Sequence, residues 1–409
     1  MFATRCFATA ALTLLTAVLV PALAPADAAD ASGTLTCSTA NVPQPLNAGN
    51  VYLTGVAAFA KAPGPAKADA WEVGYDTKTG RDRAFIGRLA AGRLSIVRSP
   101  EPAGAHASLL DGIAASSAKN AWAVGSYTVR SLTRTLIEHW TGTAWRLTAS
   151  PDPAGARRSV LTAVAARSAG TAWAVGYYLT NAGTRHTLIE RWTGTRWHLV
   201  RSPGQGGSRW NSVLNGVTVT GASNAWAVGE SSHGTNTLGL VEQWNGSQWK
   251  VAAGATSGSD QPDLTAITAT SARNAWAVGS SNSDQDTFVE HWDGTAWAAI
   301  GEPNPGGDHQ ANVLLGVAAS SASSIWAVGH YTARGPDEST ITEPFFMHLT
   351  ANGAWQIVLP GTPIELSQTY DALSSVTAIS NTTALAVGDD APLNNKLRYA
   401  YGAWCSEDS

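Results

Sequence analysis

The chain has 409 residues and a formal net charge of -4, with only 14% charged residues against 40 glycines and 17 tryptophans. A near-neutral chain without runs of Lys or Arg has no electrostatic footprint for nucleic acid or for an anionic membrane, so neither partner is expected. The length would suit two or three ordinary domains, but that expectation fails where a chain grows by adding repeats.

Residues 1–28 have the form of an export signal, with Arg5 followed by an apolar stretch from Phe7 to Val20 and the small-residue sequence Ala26-Asp27-Ala28. The apolar stretch is shorter than the roughly 20 residues of a membrane-spanning helix, so cleavage after Ala28 is expected. No later run is long and apolar enough to span a bilayer. The mature protein is therefore expected to be secreted and not inserted in a membrane. Cys6 lies in the signal, which leaves Cys37 and Cys405. An even pair in an exported chain predicts a disulfide rather than a metal site. No lipobox-like sequence precedes Cys37.

From residue 51 onward the string Ala-Trp-Ala-Val-Gly recurs, with its Trp at Trp122, Trp173, Trp226 and Trp276 and close variants at Trp71, Trp326 and Leu385. A fixed period of about fifty residues points to a propeller or a solenoid. A Leu precedes the motif at Leu110, Leu161, Leu214, Leu264, Leu314 and Leu373, and more distantly at Leu53, where Lys61-Ala62-Pro63-Gly64-Pro65 reads as a longer turn. A Trp pair follows it at Trp140/Trp145, Trp192/Trp197, Trp244/Trp249 and Trp292/Trp297, with Leu89/Leu94, Leu349/Trp355 and Tyr399/Trp404 as weaker versions. Each pair brackets a turn such as Thr141-Gly142-Thr143, where Gly supplies the positive φ of a tight hairpin.

Between these markers lie short β-prone segments bounded by turn residues, such as Leu110 to Ala115, Ala121 to Gly125, Thr135 to Trp140 and Trp145 to Ala149. The pattern predicts an all-β, seven-bladed β-propeller of four-stranded antiparallel blades, at about 51–100, 108–151, 159–203, 212–253, 262–303, 312–360 and 371–409. Trp122 and Val124 would face one side of their strand and Ala121, Ala123 and Gly125 the other, so that large residues pack onto the small face of the next blade. A solenoid is the alternative, but its end repeats should be polar caps. Segment 29–50 holds a β-prone piece, Thr34 to Cys37, expected to pair with the last blade and close the ring, where Cys37 would meet Cys405.

These residues resemble bacterial, actinobacterial-type secreted proteins with W-A-V-G repeats, which look like Asp-box (sialidase-like) and photosystem II assembly-factor propellers. The resemblance implies the fold over nearly the whole mature chain. It implies little about activity, since propellers of this look include enzymes, lectins and assembly factors. No residue-by-residue match to a sialidase constellation exists, and the Asp of the Asp-box occurs only at Asp293, so no catalytic residue is carried over.

Glu138, Glu190, Glu242 and Glu290 recur two residues before a repeat Trp, which predicts a bond to backbone or a neighbouring side chain within each blade. His139, His186, His198, His291 and His348 lack metal-ligand spacing, and the segment Ser283-Asp284-Gln285-Asp286 lacks the ligand pattern of a calcium loop. No metal and no cofactor is expected. Neither a G-x-S-x-G elbow nor a phosphate-binding G-x-x-x-x-G-K-[ST] loop is present.

Residues that break the repeat are the more informative ones. Trp210 is the one Trp outside the marker positions. The segments joining one blade to the next would gather on one face around the central channel, carrying His106, Arg157, Arg158, Arg209, Trp210, Asp263, Asp308, His309, Tyr370 and Asp371. Loops between second and third strands would add Arg134, Arg185, Asn236, Asp286 and Asp337. An exposed aromatic among Arg and Asp groups is a platform for a glycan or a protein ligand. The expectation is a non-enzymatic binding or scaffold module, and a monomer. The alternatives are a carbohydrate-active enzyme of the sialidase or lyase kind, with Asp263, Asp308 or Asp371 as proton donors, and a purely structural extracellular domain.

Overall fold

The computed structural model describes residues 35–41, 49–60, 68–78, 80–205, 207, 209–254, 262–281, 285–307, 310–334, 340–350, 353–360, 369–392 and 399–407. The export signal, Asp308, His309 and Asp337 lie outside these residues. All regular structure among them is β, and no helix is long and apolar enough to cross a membrane.

The first strand, β1 (Leu35–Asn41), stands apart in sequence from its partners. Next comes an antiparallel meander of β2 (Asn50–Ala60), β3 (Asp69–Lys78), β4 (Arg81–Ala90) and β5 (Arg93–Val97). The same meander returns as β6 (Ala107–Ser117), β7 (Asn120–Val129), β8 (Leu132–Trp140) and β9 (Trp145–Leu147). It returns again as β10 (Arg158–Ser168), β11 (Thr171–Leu179), β12 (Arg185–Trp192) and β13 (Trp197–Val200). Then follow β14 (Asn211–Gly221), β15 (Asn224–His233), β16 (Asn236–Trp244) and β17 (Trp249–Ala252). After these come β18 (Asp263–Ser271), β19 (Asn274–Ser281), β20 (Asp286–Trp292) and β21 (Trp297–Ala299). The meander of β22 (Asn312–Ser321), β23 (Ser324–Arg334), β24 (Thr340–Leu349) and β25 (Trp355–Val358) is next. The last group is β26 (Thr369–Ser380), β27 (Thr383–Pro392) and β28 (Tyr399–Glu407), and β1 adds to it antiparallel to β28. Single parallel pairs, Thr133 with Arg158 and Thr342 with Tyr370, link neighbouring groups.

First and second strands run longer than the hydrophobic pattern alone suggests, because their polar ends stay in register to the turn, as in Ala107 opposite Thr128. Each first strand also carries a bulge directly after its marker Leu, between Leu110 and Gly112 in β6 and at matching places in the others. A bulge bends the strand and re-aims one side chain. It also explains the glycine that ends each motif. A Cβ on Gly125 would run into the Leu109 carbonyl oxygen, and one on Gly176 into that of Val160.

Packing between groups follows the expected large-on-small rule. Trp122 is fully buried, with Val124, against Ala172 and Ala174 of the next group. Its ring lies 4.8 Å from that of Trp192 and 5.1 Å, edge-on, from that of Trp197. Trp71 meets Trp140 and Trp145 in the same way, and Trp173 meets Trp244 and Trp249. The histidines of the third strands are part of this packing. His139 stacks on Trp122 at 3.9 Å, His291 on Trp276 at 4.1 Å and His348 on Trp326 at 3.9 Å.

Two sequence expectations are corrected. Tyr399 and Trp404 are not a hairpin pair: Trp404 lies opposite Leu385, and Cys405 opposite Cys37 takes the register of Trp140 opposite Trp145. The buried glutamates bond across groups rather than within them. Ser99 Oγ donates to Glu138 (2.7 Å), Ser150 Oγ to Glu190 (2.9 Å) and Ser202 Oγ to Glu242 (2.8 Å), each serine coming from the segment that leaves the preceding group. In the first meander the carboxyl has moved across the ladder, to Glu72 opposite Gly87.

Candidate functional site

First strands of successive groups lie side by side, and the bulge residues tie them together. Thr54 Oγ1 donates to Leu110 O (2.7 Å), Thr162 Oγ1 to Leu214 O (2.6 Å), Asn215 Nδ2 to Leu264 O (2.9 Å) and Thr265 Oγ1 to Leu314 O (2.7 Å). β2 likewise meets β26, where the Val56 and Ala58 amides donate to Ser375 Oγ and Thr377 Oγ1. Residues of β2, β6, β10, β14, β18, β22 and β26 together line one cavity of about 190 Å³.

Asp111 is the bulge residue of β6 and lines this cavity. Burial raises its pKa to about 7, while the Arg158 guanidinium pulls the other way. Nearby, the rings of Tyr52 and Tyr75 stack at 4.6 Å. The Tyr75 hydroxyl is pushed up to about 12, first by burial and then by the charges of Tyr52, Asp82, Asp389 and Asp111. Nothing in the hydrophobic pattern singled out Asp111 or this tyrosine pair. The available signal was the position one residue after the marker Leu, which holds Thr, Asn, Ser or Leu in the other copies.

The strand turns and the inter-group segments share one edge, as hydrogen bonds between them establish. Arg81, opening β4, donates to the carbonyls of Ala105 and His106 (both 3.0 Å), and the Arg185 amide donates to Asn211 Oδ1 (3.0 Å). His106 is exposed, with its amide on Thr128 O. Arg157 is exposed as well, and its amide donates to Leu179 O. Arg158 and Arg185 converge: both are exposed, with guanidinium carbons 5.9 and 5.4 Å from the centre of the Tyr177 ring. Such a spacing is within cation–π range. Arg134 is engaged differently, 3.6 Å from Asp152.

Arg209 is exposed and Trp210 half-buried, its ring stacked at 5.7 Å on His233 from the end of β15. Asp263, at the start of β18, accepts from Asn215 Nδ2 (3.4 Å). Tyr370 and Asp371 fall in β26, but their side chains lie outside the described residues, as do Asp308 and His309 entirely. Of the sequence candidates, the structure thus gathers Arg158 with Arg185 over Tyr177, and places His106, Trp210 and Asp263 at other sectors.

Asp293, the Asp-box-like residue, is a turn residue. It accepts from the Thr295 amide and hydroxyl and the Ala296 amide, which hold its carboxyl down at about 2. Asn245 does the same for Ser247 and Gln248. Among the described residues no group of three or more His, Cys, Asp or Glu side chains is arranged to hold a metal ion. A second cavity, about 390 Å³, opens beside the Trp140–Trp145 hairpin and is walled by Val97, Arg98 and Pro100.

No family model matches the chain, and no curated protein matches it. Among solved structures it is similar to YCF48 bound to D1 peptide, at 14% identity and a TM-score of 0.53, over 91% of this chain and 97% of that one. It is also similar to the BP39L lectin from Burkholderia pseudomallei, at 13% identity and a TM-score of 0.53, over 88% of this chain and 98% of the lectin. Likeness at such identity carries the fold alone, and the fold it carries is the β-propeller.

Proposed function

We propose that the chain is a secreted, non-enzymatic binding module. Residues 1–28 act as the export signal, and seven four-stranded blades over 51–409 close into a ring with β1 as the outer strand of the last. The ligand is a protein or glycan held on the edge where inter-blade segments and strand turns meet. The observation that carries this reading is the pair of exposed guanidiniums, Arg158 and Arg185, fixed over Tyr177. Two cations and an aromatic ring, presented together on rigid strand ends, suit an anionic or hydroxyl-rich ligand better than they serve the fold. The Cys37–Cys405 disulfide supports export, because such bonds persist in oxidising compartments. The likeness to a lectin and to a peptide-bound propeller is compatible with either ligand class.

The test is a screen of the purified protein on glycan, cell-wall and peptide arrays, repeated with Arg158→Ala/Arg185→Ala and with Trp210→Ala. Loss of a hit by at least tenfold in the arginine double variant supports the site. Hits that survive both variants place the ligand elsewhere, and an absence of hits removes the reading.

A further inference from the structure

Of the seven bulge residues around the central cavity four are bonded donors, Leu315 is apolar, Ser374 carries a hydroxyl, and Asp111 is the one acid. Thr54, Thr162, Asn215 and Thr265 each donate to the carbonyl of the next group's marker Leu. By the same geometry the residue at 111 should donate to Leu161 O. It is Asp111, whose carboxylate is acceptor-only when ionised, and among the described residues no side chain donates to it or to Leu161 O. By the geometry of the repeat two acceptors fall together, Asp111 on the cavity wall and the Leu161 carbonyl next to Thr162 of that wall.

The rest of the wall limits what can sit there. Ile113, Val164, Val217, Ile267, Val317 and Val376 are apolar, the hydroxyl and amide hydrogens of the threonines and Asn215 are already committed, and Ser374 and Ser375 add hydroxyls, the latter accepting from the Val56 amide. A calcium ion needs six to eight oxygen ligands and magnesium a near-octahedral set, which this wall does not offer. An ammonium group has three N–H donors and is satisfied by few acceptors, and its methylene arm suits an apolar lining. The Tyr52–Tyr75 stack is not part of the cavity wall, but Tyr75 feels the charges of Asp111 and Asp389, as Asp111 feels the Arg158 guanidinium.

We propose that the central cavity binds a primary alkylammonium group, the chemistry of a lysyl side chain, with Asp111 and the Leu161 carbonyl as its acceptors. The inference rests on the chain being a binding propeller and adds a second, chemically distinct subsite to the arginine edge. Asp111→Thr and Asp111→Asn are suitable variants, because Thr and Asn already occupy the corresponding position in other groups, as Thr54, Thr162 and Asn215 do.

The experiment is titration of the whole mature protein with n-butylammonium and with Nα-acetyl-lysine amide, followed by calorimetry or NMR. Nε-acetyl-lysine amide, potassium chloride and calcium chloride serve as controls. The expected result is saturable binding of both amines, at least tenfold weaker in each Asp111 variant and absent for the acetylated control, with the variants' melting temperatures equal to or above that of the parent. No saturable amine binding, equal binding by the variants, or equal occupancy by potassium or calcium overturns the proposal. Because the Arg158 guanidinium acts on Asp111, the edge site is read separately through hits that depend on Arg185, so a failure here leaves the edge site standing, and the converse also holds.

Discussion

Cys37 and Cys405 stand directly opposite each other where β1 meets β28, in the register that Trp145 and Trp140 hold in β9 and β8. The disulfide thus takes the place of a Trp pair, and it packs in the same cluster as Trp326, as Trp140 and Trp145 pack on Trp71. A Trp pair is joined through a short hairpin, whereas β1 and β28 come from opposite ends of the chain and need a covalent tie. Reduction, or Cys37→Ser with Cys405→Ser, removes a constraint on a loop of several hundred residues. On the chain-entropy model this lowers stability by about 6 kcal/mol. Chemical denaturation with and without reductant checks it: an unchanged midpoint would mean that strand pairing alone holds the ends.

The glycine that ends each Trp-bearing motif is a packing requirement. Gly176→Ala places a Cβ against the Val160 carbonyl, so the bulge in β10 must shift. The expected cost is about 1–3 kcal/mol, typical of overpacking. Gly170 has nothing within 4 Å of its added Cβ, and Gly170→Ala is expected to stay within about 0.5 kcal/mol. Comparable destabilisation by the two substitutions, measured by thermal unfolding, would rule out the close-approach account.

Ser150 and Glu190 join one group to the next, with Glu190 0% exposed and the half-buried Ser150 also meeting Thr135 through Oγ and Oγ1 at 2.6 Å. Ser150→Ala strands the carboxyl, at an expected cost of about 1–3 kcal/mol. Glu190→Gln keeps the shape and offers a donor in place of the carboxylic acid, so it should cost less than about 1 kcal/mol at neutral pH. If the glutamine variant proves the more damaging of the two in urea unfolding, the carboxyl is ionised in the native protein.

The repeat was legible because all copies but the last, which has Leu385, face one packing problem: a Trp needs a small face to lie on, and Trp122 over Ala172 solves it as Trp71 over Ala121 does. The partner of the recurrent glutamate was not, although Ser99-Pro100, Ser150-Pro151 and Ser202-Pro203 recur at one place and carried the signal. Periodicity locates residues within a copy and is silent on which copy they touch. The same limit hid the edge cluster, where Arg158 and Arg185 come from different strands of one group and meet only over the Tyr177 ring. Asp111 was readable in principle, as the one acid at a position that elsewhere holds Thr, Asn, Ser or Leu, but its meaning depends on the bulge that turns it toward the cavity.

Glu138 and Glu190 have pKa values near 8, and Glu72 and Glu242 near 7, all raised from the ordinary carboxyl range by burial. In the unfolded chain these groups ionise near 4.5, so between that pH and about 8 the native state holds more protons than the unfolded state. Stability therefore falls as pH rises through this window. Histidines act in the opposite sense. His139, His291 and His348 are lowered by burial, His348 to about 4, so their effect raises stability as pH climbs toward 6.5 and is complete above it. The carboxyl effect is then unopposed by these histidines between about 6.5 and 8, where the melting temperature should drop steadily. Glu190→Gln removes one titrating group and should flatten the slope throughout the window from about 4.5 to 8, leaving it unchanged only below that window. A melting temperature that is level or rising from pH 6.5 to 8 would show that the buried glutamates are ionised in the folded protein, and that their serine partners stabilise a charge.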